Sequence, residues 1–158
     1  MNSHEMTASN VVDLIDRARK ELAGAGYTGS VGAVETVPAL VGNPAICQKS
    51  DQALANIHAF FDGKVLPQDA GKFVQSEIAR LKNACPGKRV VVTESGWPHQ
   101  GLTNDQAVPS PENQKTAMQS LEQTFKEDMV LFSPFDSNWK TDEPATFGAE
   151  KYWGFSSS

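Results

Sequence analysis

Arg89-Val90-Val91-Val92-Thr93-Glu94 (RVVVTE) is the stretch that decides the fold. Val90 to Thr93 are all β-branched, stiff at χ1 and suited to a pleated backbone, and the run carries no polar alternation. A run of that kind fits a parallel strand covered on both faces. It ends abruptly in Glu94, and Ser95-Gly96-Trp97-Pro98 begins a loop. Upstream, Asp69 is a helix cap, Phe73, Val74, Ile78 and Leu81 form one helical face, and Pro86-Gly87 closes the segment. Helix followed by buried strand is the repeating unit of an α/β fold.

Working outward, the same unit recurs. Between Thr7 and Leu22, the residues Val11, Leu14, Ile15, Ala18 and Leu22 are spaced by three and four, with Thr7 or Ser9 as N-cap and Gly24 and Gly26 as the stop. An extended run, Ser30 to Val34, then leads to Glu35. The stretch carrying Pro38 and Pro44 predicts one short helix, and Ala53 to Phe61 (ALANIHAFF) predicts a buried strand running into a loop at Asp62-Gly63. Downstream, Ser110-Pro111 supplies an N-cap and a first-turn proline for a helix burying Ala117, Met118, Leu121 and Phe125. Met129 to Phe135 (MVLFSPF) predicts the last strand. The order α-β-α-β-α-β-α-β predicts an α/β fold with a parallel sheet and right-handed crossovers. Such a set is either a small open sheet or half of an eight-stranded barrel, and periodicity does not separate the two.

Composition narrows the function classes. The chain has 158 residues, 39% hydrophobic, and 14 Lys+Arg against 19 Asp+Glu give a net charge of −5. Without a basic run, the phosphate-neutralising contribution to nucleic-acid binding is missing, and so is a polybasic membrane patch. No apolar stretch approaches the ~18 residues of a membrane-spanning helix. The first ten residues, MNSHEMTASN, have neither the basic nor the apolar region of a signal peptide. No strand is followed by a glycine-rich phosphate loop, since Gly24-x-Gly26 follows a helix. Cys47 and Cys85 are far apart and His4, His58 and His99 are scattered, which predicts no metal site; two buried thiols and one disulfide both remain open.

In parallel α/β folds the functional groups gather at the C-terminal ends of the strands. Those ends carry Glu35, then Asn56, His58 and Asp62, then Glu94, then Asp136, with Phe60, Phe61, Trp97, Phe135, Trp139 and Trp153 close by. Carboxylates converging on one mouth suit glycoside hydrolysis, which needs one carboxylate and one proton donor. Flat aromatic faces suit pyranose rings. Each residue also has a plain structural reading: a strand-end Glu as a cap, a Trp near a terminus as core, a lone His as a hydrogen-bonded wall.

Val90 to Gly101, VVVTESGWPHQG, resembles the nucleophile motif of glycoside hydrolase family 17, the β-1,3-glucanases and glucanosyltransferases. The similarity favours the fungal members and covers essentially the whole chain. It includes GYTG at Gly26 to Gly29, HAFFDG at His58 to Gly63, DAGKFV at Asp69 to Val74, VPSPENQ at Val108 to Gln114, LFSPFDSNWK at Leu131 to Lys140 and KYWGF at Lys151 to Phe155. The resemblance implies a TIM (β/α)8 barrel, of which residues 1–158 would be one partial catalytic domain, the C-terminal half with strands five to eight. A complete barrel normally takes ~250 residues.

The resemblance further implies that Glu94 is the nucleophile, that Trp97 flanks the sugar, and that Phe135, Asp136, Trp139 and Lys140 line subsites. Asn56, His58, Phe61 and Asp62 would bind glucan or buttress Glu94, and Glu35 would orient the site. It implies β-1,3-glucan as partner, no cofactor, no metal, a Cys47–Cys85 disulfide, and a secreted or cell-wall parent protein. The family's proton donor is the Glu of a Gly-Asn-Glu or Gly-Ser-Glu segment; here Gly42-Asn43 is followed by Pro44, so general acid/base and N-terminal half are expected to be absent and activity small. Substitution of Glu35 or Glu5 as donor is a lesser alternative, and a non-catalytic glucan-binding remnant another. Half a barrel is also expected to self-associate through its exposed edge strands.

Overall fold

A computed structural model describes residues 7–156, so Glu5 lies outside the described residues. Its helices are α1 (Ala8–Gly24), α2 (Val37–Gly42), α3 (Pro44–Lys49), α4 (Ala70–Ala84) and α5 (Pro111–Thr124); its strands are β1 (Val34–Thr36), β2 (Ala53–Asn56), β3 (Val90–Ser95) and β4 (Met129–Leu131). The strands are ordered β1-β2-β3-β4 in one sheet, and β1 with β2 and β3 with β4 pair in parallel. The alternation expected from sequence is therefore present. Among the described residues no helix is long and apolar enough to cross a membrane. The chain divides into two compact units, the first holding the residues up to Asn56 with Ile78–Val91, the second Ile57–Glu77 with the chain from Val92 onward.

In the first unit, Thr7 rather than Ser9 caps α1. Its Oγ1 accepts the Asn10 N–H at 3.2 Å while Asn10 Oδ1 accepts the Thr7 N–H at 3.1 Å, a reciprocal box that satisfies two otherwise unpaired donors. Val11 and Ile15 are buried. The first strand begins at Val34, not Ser30. The backbone before it is occupied elsewhere: Asp51 Oδ2 accepts the Val31 N–H at 2.8 Å, Arg19 donates to the Val31 carbonyl at 3.3 Å, and Ser50 Oγ accepts the Ala33 N–H at 3.2 Å. Two short helices replace the single one expected, because Pro44 has no N–H with which to continue α2 and instead opens α3. Cys47 and Cys85 form a disulfide with Cα atoms 5.9 Å apart, joining α3 to the end of α4. Lys88 Nζ donates to the carbonyls of Gln48 and Ser50, neutralising the C-terminus of α3. The Ala53 N–H donates to the Arg89 carbonyl at 2.9 Å beside the start of β3.

The predicted strand Ala53 to Phe61 stops at Asn56, in the first unit; in the second unit, Ala59–Asp62 coil into a 3-10 turn ended by Gly63 at φ 78°. Ser110 caps α5 by accepting the Asn113 N–H at 3.1 Å, Pro111 occupies the first turn, and Ala117, Met118 and Leu121 are buried. Phe125 caps the C-terminus instead of joining that face. β4 ends at Leu131 rather than Phe135, since the Ser133 N–H turns to the Trp153 carbonyl at 3.2 Å and Pro134 has no donor to offer a ladder. Phe60, Trp97, Val92, Val74, Leu121 and Trp153 form the buried core of this unit.

Candidate active site

Glu94 is the penultimate residue of β3. Its carbonyl accepts the Ile57 N–H at 2.8 Å, and that backbone bond brings the next residue, His58, alongside the Glu94 side chain. His58 Nε2 stands 3.5 Å from Glu94 Oε2, with the histidine side chain 11% and the carboxylate 36% exposed. The imidazole meets the rings of Trp153, Phe132 and Phe61 edge-on, with centroids 4.7, 5.6 and 6.0 Å away. Among the described residues its Nδ1 has no hydrogen-bond partner. A ring whose Nε2 faces a carboxylate and whose Nδ1 faces no acceptor is assigned the Nε2–H tautomer.

The loop after β3 packs tightly against the exit of β4. The Phe132 N–H donates to the Ser95 carbonyl at 2.8 Å, and a Cβ on Gly96 would collide with the Phe132 carbonyl oxygen. Trp97 departs from its expected place beside a sugar. It is 0% exposed, its ring packs edge-on to Phe60 at 5.6 Å, and its Nε1–H donates to the Val108 carbonyl at 3.1 Å. Gln114 of α5 donates to the Trp97 carbonyl at 2.9 Å. Trp97 therefore carries the loop's packing and presents no face to a ligand.

The exposed aromatic surface comes from the segment after β4. Phe135 is 63% and Trp139 82% exposed. Lys140 Nζ lies 3.0 Å from Glu150 Oε2, 5.1 Å from the centre of the Phe132 ring and 6.0 Å from that of Trp139. Phe132 thus has His58 packed T-shaped against it and a held ammonium over its ring. Phe61, half exposed, tilts against Trp153 at 5.7 Å.

Asp136, expected to line a subsite, is engaged within the protein. Its Oδ1 and Oδ2 lie 3.0 and 3.1 Å from His99 Nε2, and Oδ1 accepts the Gly154 N–H at 2.8 Å. Asp62 Oδ1 accepts the Lys64 N–H at 3.3 Å and shapes a turn. Glu35 and Asn56 belong to the first unit, near the C-terminal ends of β1 and β2, where Glu35 is in register with Ala55 and Asn56 with Thr36. Sequence reasoning missed Phe132, His99 and Glu150 and named Trp153 only as a nearby aromatic. Nothing in local spacing marks Glu150, which meets Lys140 from ten positions away.

Glu94 thus presents a partly exposed carboxylate at the C-terminal end of a parallel strand of an α/β fold, with His58 at its oxygen and the exposed rings of Phe135 and Trp139 in the segment after β4. The chain belongs to the family described as the BtgE/BtgC glycoside hydrolase domain, whose model matches residues 1–154. It is 44% identical to the probable family 17 glucosidase SCW4 of Saccharomyces cerevisiae, over 100% of this chain and 41% of that protein. It is 42% identical to the cell surface mannoprotein MP65 of Candida albicans, over 100% of this chain and 42% of that protein. The chain thus spans about two fifths of the length of these relatives. Among solved structures it resembles the glycoside hydrolase family 17 β-1,3-glucanosyltransferase of Rhizomucor miehei, with TM-score 0.75, 22% identity and coverage of 96% of this chain and 54% of that one. The fold is that of part of a family 17 TIM barrel. An active-site mutant of the same enzyme, solved in complex with laminaritriose, gives TM-score 0.76 at 20% identity, again over 96% of this chain and 54% of that one.

Proposed function

We propose that this chain carries the nucleophile-bearing part, strands five to eight, of a retaining glycosidase acting on β-1,3-glucan as an endo-glucanase or glucanosyltransferase. The observation that carries the reading is the Glu94 carboxylate at the end of β3 with His58 Nε2 3.5 Å away. In the first step a Glu94 oxygen bonds to the anomeric carbon while the glycosidic C–O bond breaks, and the departing oxygen takes a proton from a second carboxyl group. In the second, water or a sugar hydroxyl attacks the same carbon, gives its proton to that second group, and Glu94 is released as carboxylate. The rigid strand and the His58 contact hold the attacking oxygen in place, which lowers the entropic part of the barrier. Retaining chemistry needs a second carboxyl about 5 Å from the first, and we assign that role to no residue of this chain. Phe135 and Trp139 offer stacking faces, with Phe61 and Lys140 on the approach to His58.

The laminaritriose bound in the Rhizomucor miehei mutant supports a β-1,3-glucan ligand, and the cell-surface description of the Candida albicans relative supports a secreted or cell-wall parent. A glucosyl fluoride with fluorine also at C2 tests the chemistry, because its leaving group departs without a proton. Mass spectrometry of the digested chain should find the sugar ester on Glu94, and Glu94→Gln should abolish it. Ester formation elsewhere, or equal labelling of Glu94→Gln, would overturn the assignment. The 82% exposure of Trp139 favours a second reading, glucan binding without turnover; laminarin retained without ester formation, and released by Trp139→Ala, would select it.

A further inference from the structure

We propose that His99 and Asp136 form a latch that positions the nucleophile through Trp153 and His58; this rests on the reading of Glu94 given above. The latch joins three segments distant in sequence. His99 lies in the loop after β3, Asp136 in the segment after β4, and residues 152–154 near the end of the described chain. His99 Nε2 lies 3.0 and 3.1 Å from the two Asp136 oxygens. The His99 backbone N–H donates to the Tyr152 carbonyl at 2.9 Å, its ring meets Tyr152 edge-on at 5.8 Å, and the Gly154 N–H donates to Asp136 Oδ1 at 2.8 Å.

These bonds bracket Trp153. The residue before it is held by His99 and the residue after it by Asp136. A Cβ on Gly154 would stand 2.7 Å from Asp136 Oδ1, so the backbone at 154 is seated directly against the carboxylate. The Trp153 carbonyl accepts from Ser133 at 3.2 Å and from Gln114 Nε2 at 3.4 Å, the longest bonds in the bracket. The indole, 3% exposed, is the ring nearest to His58, at 4.7 Å.

His58 has no partner for Nδ1 among the described residues, so its orientation is set by the surrounding rings and by Glu94. A shift of Trp153 is therefore transmitted to the imidazole and from it to the carboxylate. His99 and Asp136 are positioning residues in this scheme, not catalytic ones. A tie that merely stabilised the tail would cost melting temperature and leave His58 where it is.

Imidazole nitrogen NMR on the 15N-labelled chain separates the two. In Asp136→Ala and His99→Ala the Nε2 and Nδ1 resonances of His58 should move away from their wild-type positions. Asp136→Asn, which keeps an oxygen for the Gly154 N–H, should restore most of the wild-type spectrum. His99→Gln keeps a side-chain N–H that can donate to Asp136 and should give an intermediate shift; it decides the matter if the alanine variants fail to fold. Unmoved His58 resonances in folded His99→Gln or in a folded alanine variant would overturn the latch. The spectrum does not depend on sugar chemistry, so failure of Glu94 to accept a glucosyl unit would leave this result standing and would count only against the reading on which it rests.

Discussion

Glu94 and His58 are brought together by the backbone before their side chains meet: the Ile57 N–H donates to the Glu94 carbonyl at 2.8 Å, and the imidazole of the next residue then reaches 3.5 Å from the carboxylate. The positional information sits in this backbone bond at the end of β3, and the side-chain contact refines it. Removing the imidazole should leave the strand intact and the carboxylate less constrained.

His58→Ala should slow formation of the Glu94 sugar ester by about tenfold, corresponding to ~1.4 kcal/mol, the lower end of what a hydrogen bond to a charged group contributes. The contact is long, which argues for the lower figure. Labelling kinetics by mass spectrometry measure it, and an unchanged rate would remove His58 from the machinery.

Trp139 and Trp97 should behave oppositely. Trp139→Ala removes an 82% exposed ring and should leave the melting temperature near its wild-type value while weakening laminarin binding by about tenfold, the loss expected from part of one aromatic face. Trp97→Ala empties a wholly buried site and should cost ~3–5 kcal/mol of stability. Calorimetric binding and thermal unfolding on the two variants would reveal a reversed pattern.

The Cys47–Cys85 bridge closes a loop with a sequence separation of 38. In the chain-entropy model that separation is worth about 4 kcal/mol. Cys47→Ser with Cys85→Ser should therefore melt well below the parent chain, and equal melting temperatures would show that the unfolded ensemble gains little from release of the loop.

Asp51 gives a pH signature. The Val31 N–H and then the Arg19 guanidinium hold its carboxyl below the ordinary 3.8. A carboxyl depressed in the folded state binds protons more readily when unfolded, so its stabilising contribution is present above the ordinary value and is lost as pH falls through the depressed one. Asp51→Asn should be less stable than the parent chain near neutral pH, with the difference shrinking under acid. Melting curves from pH 7 downward check this, and a constant difference would contradict it.

The parts of the fold written in local chemistry were readable in advance. The β-branched run of β3 and the Ser110-Pro111 start of α5 each state their role within a few residues, whereas Thr7 and Ser9 both fit as cap of α1 and only the contact with Asn10 selects Thr7. β1 was misplaced because the amides of Val31 and Ala33 are taken by Asp51 and Ser50, partners far along the chain. Of the candidate site, the placement of Glu94 and His58 near strand ends is legible in the sequence, because the strand pattern points there. Trp97 looked like a ligand platform because its exposure depends on Phe60 and Val108, which no spacing rule connects to it. The His99 and Asp136 contact spans 37 positions and leaves no periodic trace.

Gly96 sets a boundary for anyone redesigning the surface beside Glu94. With the Phe132 oxygen where its first side-chain carbon would go, the joint between the two strand exits tolerates no embroidery. Libraries should spend their diversity on the exposed Phe135 and Trp139 and keep the bare backbone behind Glu94 as it is.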